Sequence, residues 1–167
     1  MMIVRRDTEI DDDSRQRRRD TEFNMADMTD YNRLNDLSGA IIGAAIEVHR
    51  ELGPGLLESV YEECLKIELQ SRGMNVETQV DLPLFYKGIP TGKTYRIDML
   101  VNDDVILELK SVESLKTVNE IQLVTYLKLS HKKIGLLINF NEAVLKDGIK
   151  RKINSDIVYT GIRPVIG

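Results

Sequence analysis

The stretch Tyr95-Arg96-Ile97-Asp98-Met99-Leu100-Val101-Asn102-Asp103-Asp104-Val105-Ile106-Leu107-Glu108-Leu109-Lys110 reads as two apolar strands around a polar turn. Each strand carries a carboxylate in its oily middle. Burying an unpaired carboxylate is costly or forces it to protonate, so such acids need partners. Two acids and a lysine gathered on core strands suit a divalent cation with an amine beside it, a combination that points to phosphodiester hydrolysis. Side chains alternate along a strand, so Glu108 and Lys110 share one face, while Val105, Leu107 and Leu109 share the other. On the first strand Arg96, Asp98 and Leu100 fall together, with Tyr95, Ile97, Met99 and Val101 opposite. Asn and Asp tolerate turn conformations. A three-residue loop, 102–104, sets Asp98 across from Glu108, with Cβ atoms roughly 5 Å apart. A two-residue loop pairs Asp98 with position 107 or 109 and sends the acids to opposite faces. The functional reading requires the longer loop, or a bulge or splay of equal effect.

Working outward, apolar residues recur at helical spacing from about Asn35 to Leu52, through Leu37, Ile41, Ala45 and Val48. Gly53-Pro54-Gly55 ends that helix. A second helix is predicted from Leu56 to Ser71, with Leu57, Val60, Tyr61 and Cys64 on one stripe and Gly73 as its cap. Residues 76–86 are extended, bent at Pro83, and Lys87-Gly88 turns. After the central pair, Thr117 and Glu120 have capping-box spacing and open a helix to about Ser130. Ile134 to Phe140 is a nearly continuous apolar run, as expected of a strand buried on both faces. Strand, helix and apolar strand make a βαβ unit. The predicted order is α-α-β-β-β-α-β with an irregular or short helical end.

The 167 residues allow one domain with a substantial core, and 42% apolar with 30% charged content describes a globular chain. No apolar run approaches the ~20 residues of a membrane span. The N-terminus has no apolar leader, and the single Cys64 excludes an internal disulfide. These features together predict a cytoplasmic protein. Residues 1–33 are charged and lack apolar periodicity, with Asp11-Asp12-Asp13 and Arg17-Arg18-Arg19 in blocks. They read as a mobile tail or weak helix ahead of a single domain over 34–167. The net charge of −4 argues mildly against nonspecific nucleic-acid binding. Lys128, His131, Lys132, Lys133, Lys146, Lys150, Arg151 and Lys152 nevertheless cluster late in the chain and offer a phosphate-facing edge. A solvated lysine surface is the competing reading.

With these residues placed, the stretch from about Leu37 to Asn154 resembles the GxxExxY family of the PD-(D/E)xK nuclease superfamily. Gly55-Leu56-Leu57-Glu58-Ser59-Val60-Tyr61 fits the name motif, Asp98 the first acid, and Glu108-Leu109-Lys110 the E-x-K half. Gln122 and Tyr126 resemble the Q-x-x-x-Y element of the exonuclease-like branch. Ile97 stands where many members have proline. The resemblance implies an α/β, restriction-endonuclease-like core, a central mixed sheet flanked by helices. It also implies Asp98, Glu108, the Leu109 carbonyl and Glu58 as ligands of Mg²⁺ or Mn²⁺.

The same resemblance makes Lys110, Glu108, Asp98 and Glu58 the catalytic set. Periodicity alone does not separate Glu58 from Glu68; only the motif selects it. Gln122 and Tyr126, four apart on one helix face, can bond a phosphate or the E-x-K strand. Tyr61 and His49 read as supports, and His131 as surface. Two histidines give no zinc-type ligand set. The expected function is a metal-dependent nuclease acting on DNA or RNA, with a homodimer or partner protein where sequence-specific cutting is needed. The alternative is a non-catalytic module that keeps the fold and binds nucleic acid or protein. A phosphate-ligand hydrolase lacks the Gly-rich loop it would need.

Overall fold

The structure is a computed structural model that describes residues 9–154. The start of the expected 1–33 tail and the end of the 34–167 domain lie outside the described residues. The chain divides into two compact units, Met1–Asp36 and Leu37–Gly167. Helix α1 spans Glu9–Leu52, starting well before the helix expected from Asn35. A helix that is polar all round can be held by local charge pairs rather than burial. Arg33 on Asp30 at 2.8 Å is one such pair. That support leaves no apolar stripe for a sequence reading to detect.

In the unit from Leu37 onward, α2 is Glu58–Ser71, β1 Val76–Tyr86, β2 Ile89–Val101 and β3 Val105–Lys110. They are followed by α3 Thr117–Ser130, β4 Ile134–Asn139, a 3₁₀ turn Leu145–Gly148 and β5 Ile149–Ile153. The five strands form one sheet in sequence order. β1, β2 and β3 are antiparallel, β3 and β4 parallel, and β4 and β5 antiparallel. This is the expected mixed sheet flanked by helices, with one strand added. β5 replaces the irregular end; its Ile149-Lys150-Arg151-Lys152-Ile153 is short and basic, as suits an edge strand.

Four local expectations need correction. α2 begins at Glu58, with Leu57 outside it and 74% exposed. Its buried stripe is Tyr61, Leu65 and Leu69, while Val60 is exposed and Cys64 half-buried. Both stripes satisfy a helical repeat, and only the packing partner selects one. The α3 cap sits one residue earlier than expected: Asn119 Oδ1 accepts the Lys116 N–H at 2.9 Å. Glu120 instead pairs with Lys152 on β5.

The face of β2 also departs from strict alternation. Ile97 packs in one cluster with Leu82, Leu100, Ile106, Leu137 and the α3 residues Leu123, Tyr126 and Leu127. Ile97 and Leu100 are three apart, so strict alternation would separate them. Both nevertheless join the α3 cluster, so the alternation breaks between them. Between the register pairs Thr78–Met99 and Val80–Ile97 stands Gln79, at φ 54. One left-handed residue in a strand rotates the residues beyond it, so Val80 and Leu82 turn toward α3, and Ile97, the partner of Val80, goes with them. Over β4 the same helix sits close: a Cβ on Gly135 would lie 2.6 Å from Leu123 Cδ1.

Candidate active site

The β2–β3 loop is the three-residue Asn102-Asp103-Asp104, since Val101 pairs with Val105 and Met99 with Leu107. Asn102 and Asp103 both take positive φ, 52 and 57, which short polar side chains tolerate. That register directs Asp98 toward Glu108, but the ladder ends at Met99–Leu107. Asp98 stands at the split, and its Oδ2 accepts the Leu109 N–H at 2.8 Å. A side-chain acceptor thus replaces the ladder bond where the strands part.

Glu108 is 2% exposed. Its Oε1 accepts a hydrogen bond from Lys110 Nζ at 2.7 Å, and the same ammonium reaches the Leu109 carbonyl at 3.0 Å. Glu108 Oε2 is buried with no partner among the described residues. Burial, with the Asp98 charge adding to it, pushes the Glu108 carboxyl up to about 7 against the pull of Lys110. Asp98 is raised by burial, opposed by the Leu109 N–H and by Lys110. For Lys110 burial acts downward, but its bond to Glu108 and the charges of Glu108, Asp98 and Glu58 outweigh it, and the net shift is upward.

Glu58 opens α2 and lies within electrostatic reach of Lys110 and Asp98; burial raises its carboxyl, and the Ser111 N–H bonds it. Glu68, which the helical period could not separate from it, pairs with Arg72 at 2.7 Å. The segment before α2 is pinned by Tyr61. Its hydroxyl donates to the Gly53 carbonyl at 2.5 Å and accepts the Leu56 N–H at 3.2 Å. Its ring stacks on Phe140 at 4.4 Å. Ser111 Oγ donates to the Leu56 carbonyl at 2.6 Å, tying this loop to the end of the E-x-K strand. Gly55, at φ 97, supplies the turn. His49 reaches the Glu142 carbonyl at 2.8 Å, so its ring tethers α1 to the loop after β4. On α3, Gln122 Nε2 donates to the Tyr126 hydroxyl at 2.8 Å, and Tyr126 feels Glu108, Asp98 and Lys110.

Two further residues, Glu62 and Gln79, join the site without belonging to its sequence motif. Glu62 follows Glu58 by one helical turn; burial raises its carboxyl, and the Asp98 and Glu58 charges act on it. Gln79 Nε2 holds Glu62 Oε2 at 2.7 Å. The i,i+4 spacing of Glu58 and Glu62 was a signal for the first. Gln79 gave none until the β1–β2 register was known. Among the described residues, no three His, Cys, Asp or Glu side chains are gathered tightly enough to hold an ion by themselves. The donors present are oxygen atoms: the Asp98 and Glu108 carboxylates, the Leu109 carbonyl, and Glu58 nearby. Hard divalent cations accept that chemistry, and the unpartnered Glu108 Oε2 is an acceptor such an ion would satisfy.

A model of the PD-(D/E)XK nuclease superfamily matches residues 35–152. No curated protein and no solved structure gives a significant match. The family match covers well over half of the sequence and takes in both strands of the split ladder with the helices on either side; the chain belongs to the PD-(D/E)XK nuclease superfamily.

Proposed function

We propose that the chain is a divalent-metal-dependent nuclease of the GxxExxY type, hydrolysing phosphodiester bonds of DNA or RNA. The observation that carries this reading is Glu108 Oε2, a buried acceptor without a donor next to a second carboxylate and a lysine. Leaving such a group unmatched costs about 1–3 kcal/mol or more when it is charged, and a cation removes that cost. Asp98, Glu108, the Leu109 carbonyl and Glu58 would hold Mg²⁺ or Mn²⁺. Such an ion polarises a phosphoryl oxygen and acidifies water.

The chain's own groups do the rest. Asp98 Oδ2 accepts the Leu109 N–H and holds the backbone of the E-x-K strand beside both acids. Lys110 is protonated near neutral pH, since its acidic neighbours hold its pKa above the usual value. Its part is therefore to neutralise charge developing on the phosphate, more than to abstract a proton. Gln122 and Tyr126 present an amide and a hydroxyl from α3 for phosphate oxygens or for the E-x-K strand. Tyr61 and His49 hold the surrounding loops.

The test is cleavage of single- and double-stranded DNA and RNA in Mg²⁺, Mn²⁺ or EDTA, beside Lys110→Ala. Cutting that requires metal and Lys110 supports the reading. Wild-type protein that binds nucleic acid but stays inert with both ions is a binding module instead.

A further inference from the structure

Beyond Asp98 the β1–β2 ribbon leaves the sheet. β2 pairs with β3 only as far as Met99, while its pairing with β1 continues to Tyr86–Ile89. Lys87 and Gly88, at φ 49 and 79, close the ribbon with the tight turn that two positive φ values allow. Val80, Leu82 and Ile97 anchor its root on α3. Farther out, Phe85 is 56% exposed and Tyr86 67%, while Tyr95, opposite Leu82 at the root, is 42% exposed. Exposed aromatic rings on a projecting arm call for a partner. Residues 82–97 contain no Asp or Glu, but hold Lys87, Lys93 and Arg96, in a chain of net charge −4. Arg96 is engaged by Asp81, and the Lys87 ammonium lies 5.6 Å from the Tyr86 ring centroid.

The arm is continuous with the candidate site. The Tyr95 ring lies 5.7 Å from that of Tyr126, whose hydroxyl carries the Gln122 bond. A second copy adding a strand to β1 is a poor occupant. Pro83 removes a donor from that edge, and the register shifts between Pro83 and Phe85. Rings for bases with lysines for phosphates suit a single-stranded polynucleotide, whose unstacked bases are free to stack.

Building on the nuclease reading, we propose that the β1–β2 arm is a stacking platform that holds an unpaired polynucleotide segment and leads it toward Asp98, Glu108 and Lys110. The experiment is fluorescence anisotropy in EDTA with labelled 20-mers of dT and rU and a 20-base-pair duplex. It compares the wild-type full chain, the double variant Phe85→Ala/Tyr86→Ala, and the double variant Lys87→Gln/Lys93→Gln. Urea midpoints confirm that each variant is folded. We expect single strands to bind more tightly than duplex, and the loss of each ring to weaken binding by about 10-fold. Removing each lysine lowers the slope of log affinity against log salt by about 0.7. The dT and rU arms separate DNA from RNA.

Wild-type affinity retained in both variants overturns the proposal, as does absence of binding by the wild type. So does the loss of a dimer in the variants with no change in oligonucleotide affinity, which would make the arm an interface between copies. Cleavage by the wild type in Mn²⁺ is scored separately. An arm that binds in a protein that never cuts leaves this inference standing and removes the nuclease reading. Cutting with an indifferent arm does the reverse.

Discussion

At the scale of single residues, Asp98 and Lys110 are both charged and polar, yet their removal has different consequences. Lys110→Ala deletes an ammonium but leaves both carboxylates, so Mn²⁺ affinity measured by calorimetry stays the same or rises. On the proposed nuclease function, turnover is expected to fall by about 10²–10³, the usual loss when a charge-stabilising group is removed. Asp98→Asn keeps an oxygen for the Leu109 N–H but removes the charge, so on the same proposal it is expected to lose metal affinity and turnover together. Equal loss of metal in both variants would rule out the division of roles. Glu108 gives a pH signature. Its carboxyl is raised from 4.5 to about 7 by burial and by Asp98. The folded protein then binds more protons than the unfolded chain between those values. Its contribution to stability is complete below about 4.5 and is lost as pH rises through about 7. Asp98 and Glu58 shift in the same direction, and Lys110 stays charged throughout this window. Metal-free protein should therefore show a falling urea midpoint from pH 5 to 8, a trend that Glu108→Gln flattens. A wild-type midpoint that climbs over this range would contradict the assigned environment.

At the scale of elements, the turn-over of the β1–β2 ribbon depends on Gln79. A non-glycine residue at φ 54 within a strand carries strain of order 1–3 kcal/mol. Gln79→Gly relieves the strain but loses the bond to Glu62, so it should leave stability nearly unchanged while reducing activity. Gln79→Val adds a β-branched side chain that this backbone rejects and should destabilise by about 1–3 kcal/mol. Paired urea melts and cleavage rates check both, and equal stability of the two variants would remove the strain argument. The same position marks where sequence reading stops. The three-residue loop, the E-x-K strand, the apolar β4 and the Gln122–Tyr126 helix face were legible, because each is set by local spacing or turn chemistry. Ile97 was assigned to the wrong face because alternation assumes a regular strand, and a left-handed Gln79 leaves no mark in composition. The α2 stripe was rotated because two helical registers fitted its apolar residues equally. β5 was hidden because an edge strand of lysines and arginine has the composition of a loop. Glu58 was found only through its motif, and Gln79 only through a register between strands.

At the scale of the molecule, the unit from Leu37 onward concentrates Glu58, Asp98 and Glu108 around one ammonium, with Glu62 in reach. The excess is negative and partly buried, so a bound cation would relieve the repulsion among these carboxylates. A net folding free energy of about 5–15 kcal/mol makes that relief measurable. A ligand that binds only the folded state at 100 times its Kd adds about 2.7 kcal/mol. For a domain of this size each kcal/mol moves Tm by roughly 2–4 °C, so saturating Mn²⁺ or Mg²⁺ should raise Tm by about 5–10 °C. Ionic screening also eases repulsion, but it varies smoothly with ionic strength and does not saturate with the ion. The measurement is a thermal melt against divalent concentration at constant ionic strength, with KCl as the balancing salt. A saturable rise in wild type, absent in Asp98→Asn, assigns the effect to coordination at the split. A rise that KCl reproduces, or that Asp98→Asn retains, assigns it to screening, and the oxygen cluster would then be no metal site.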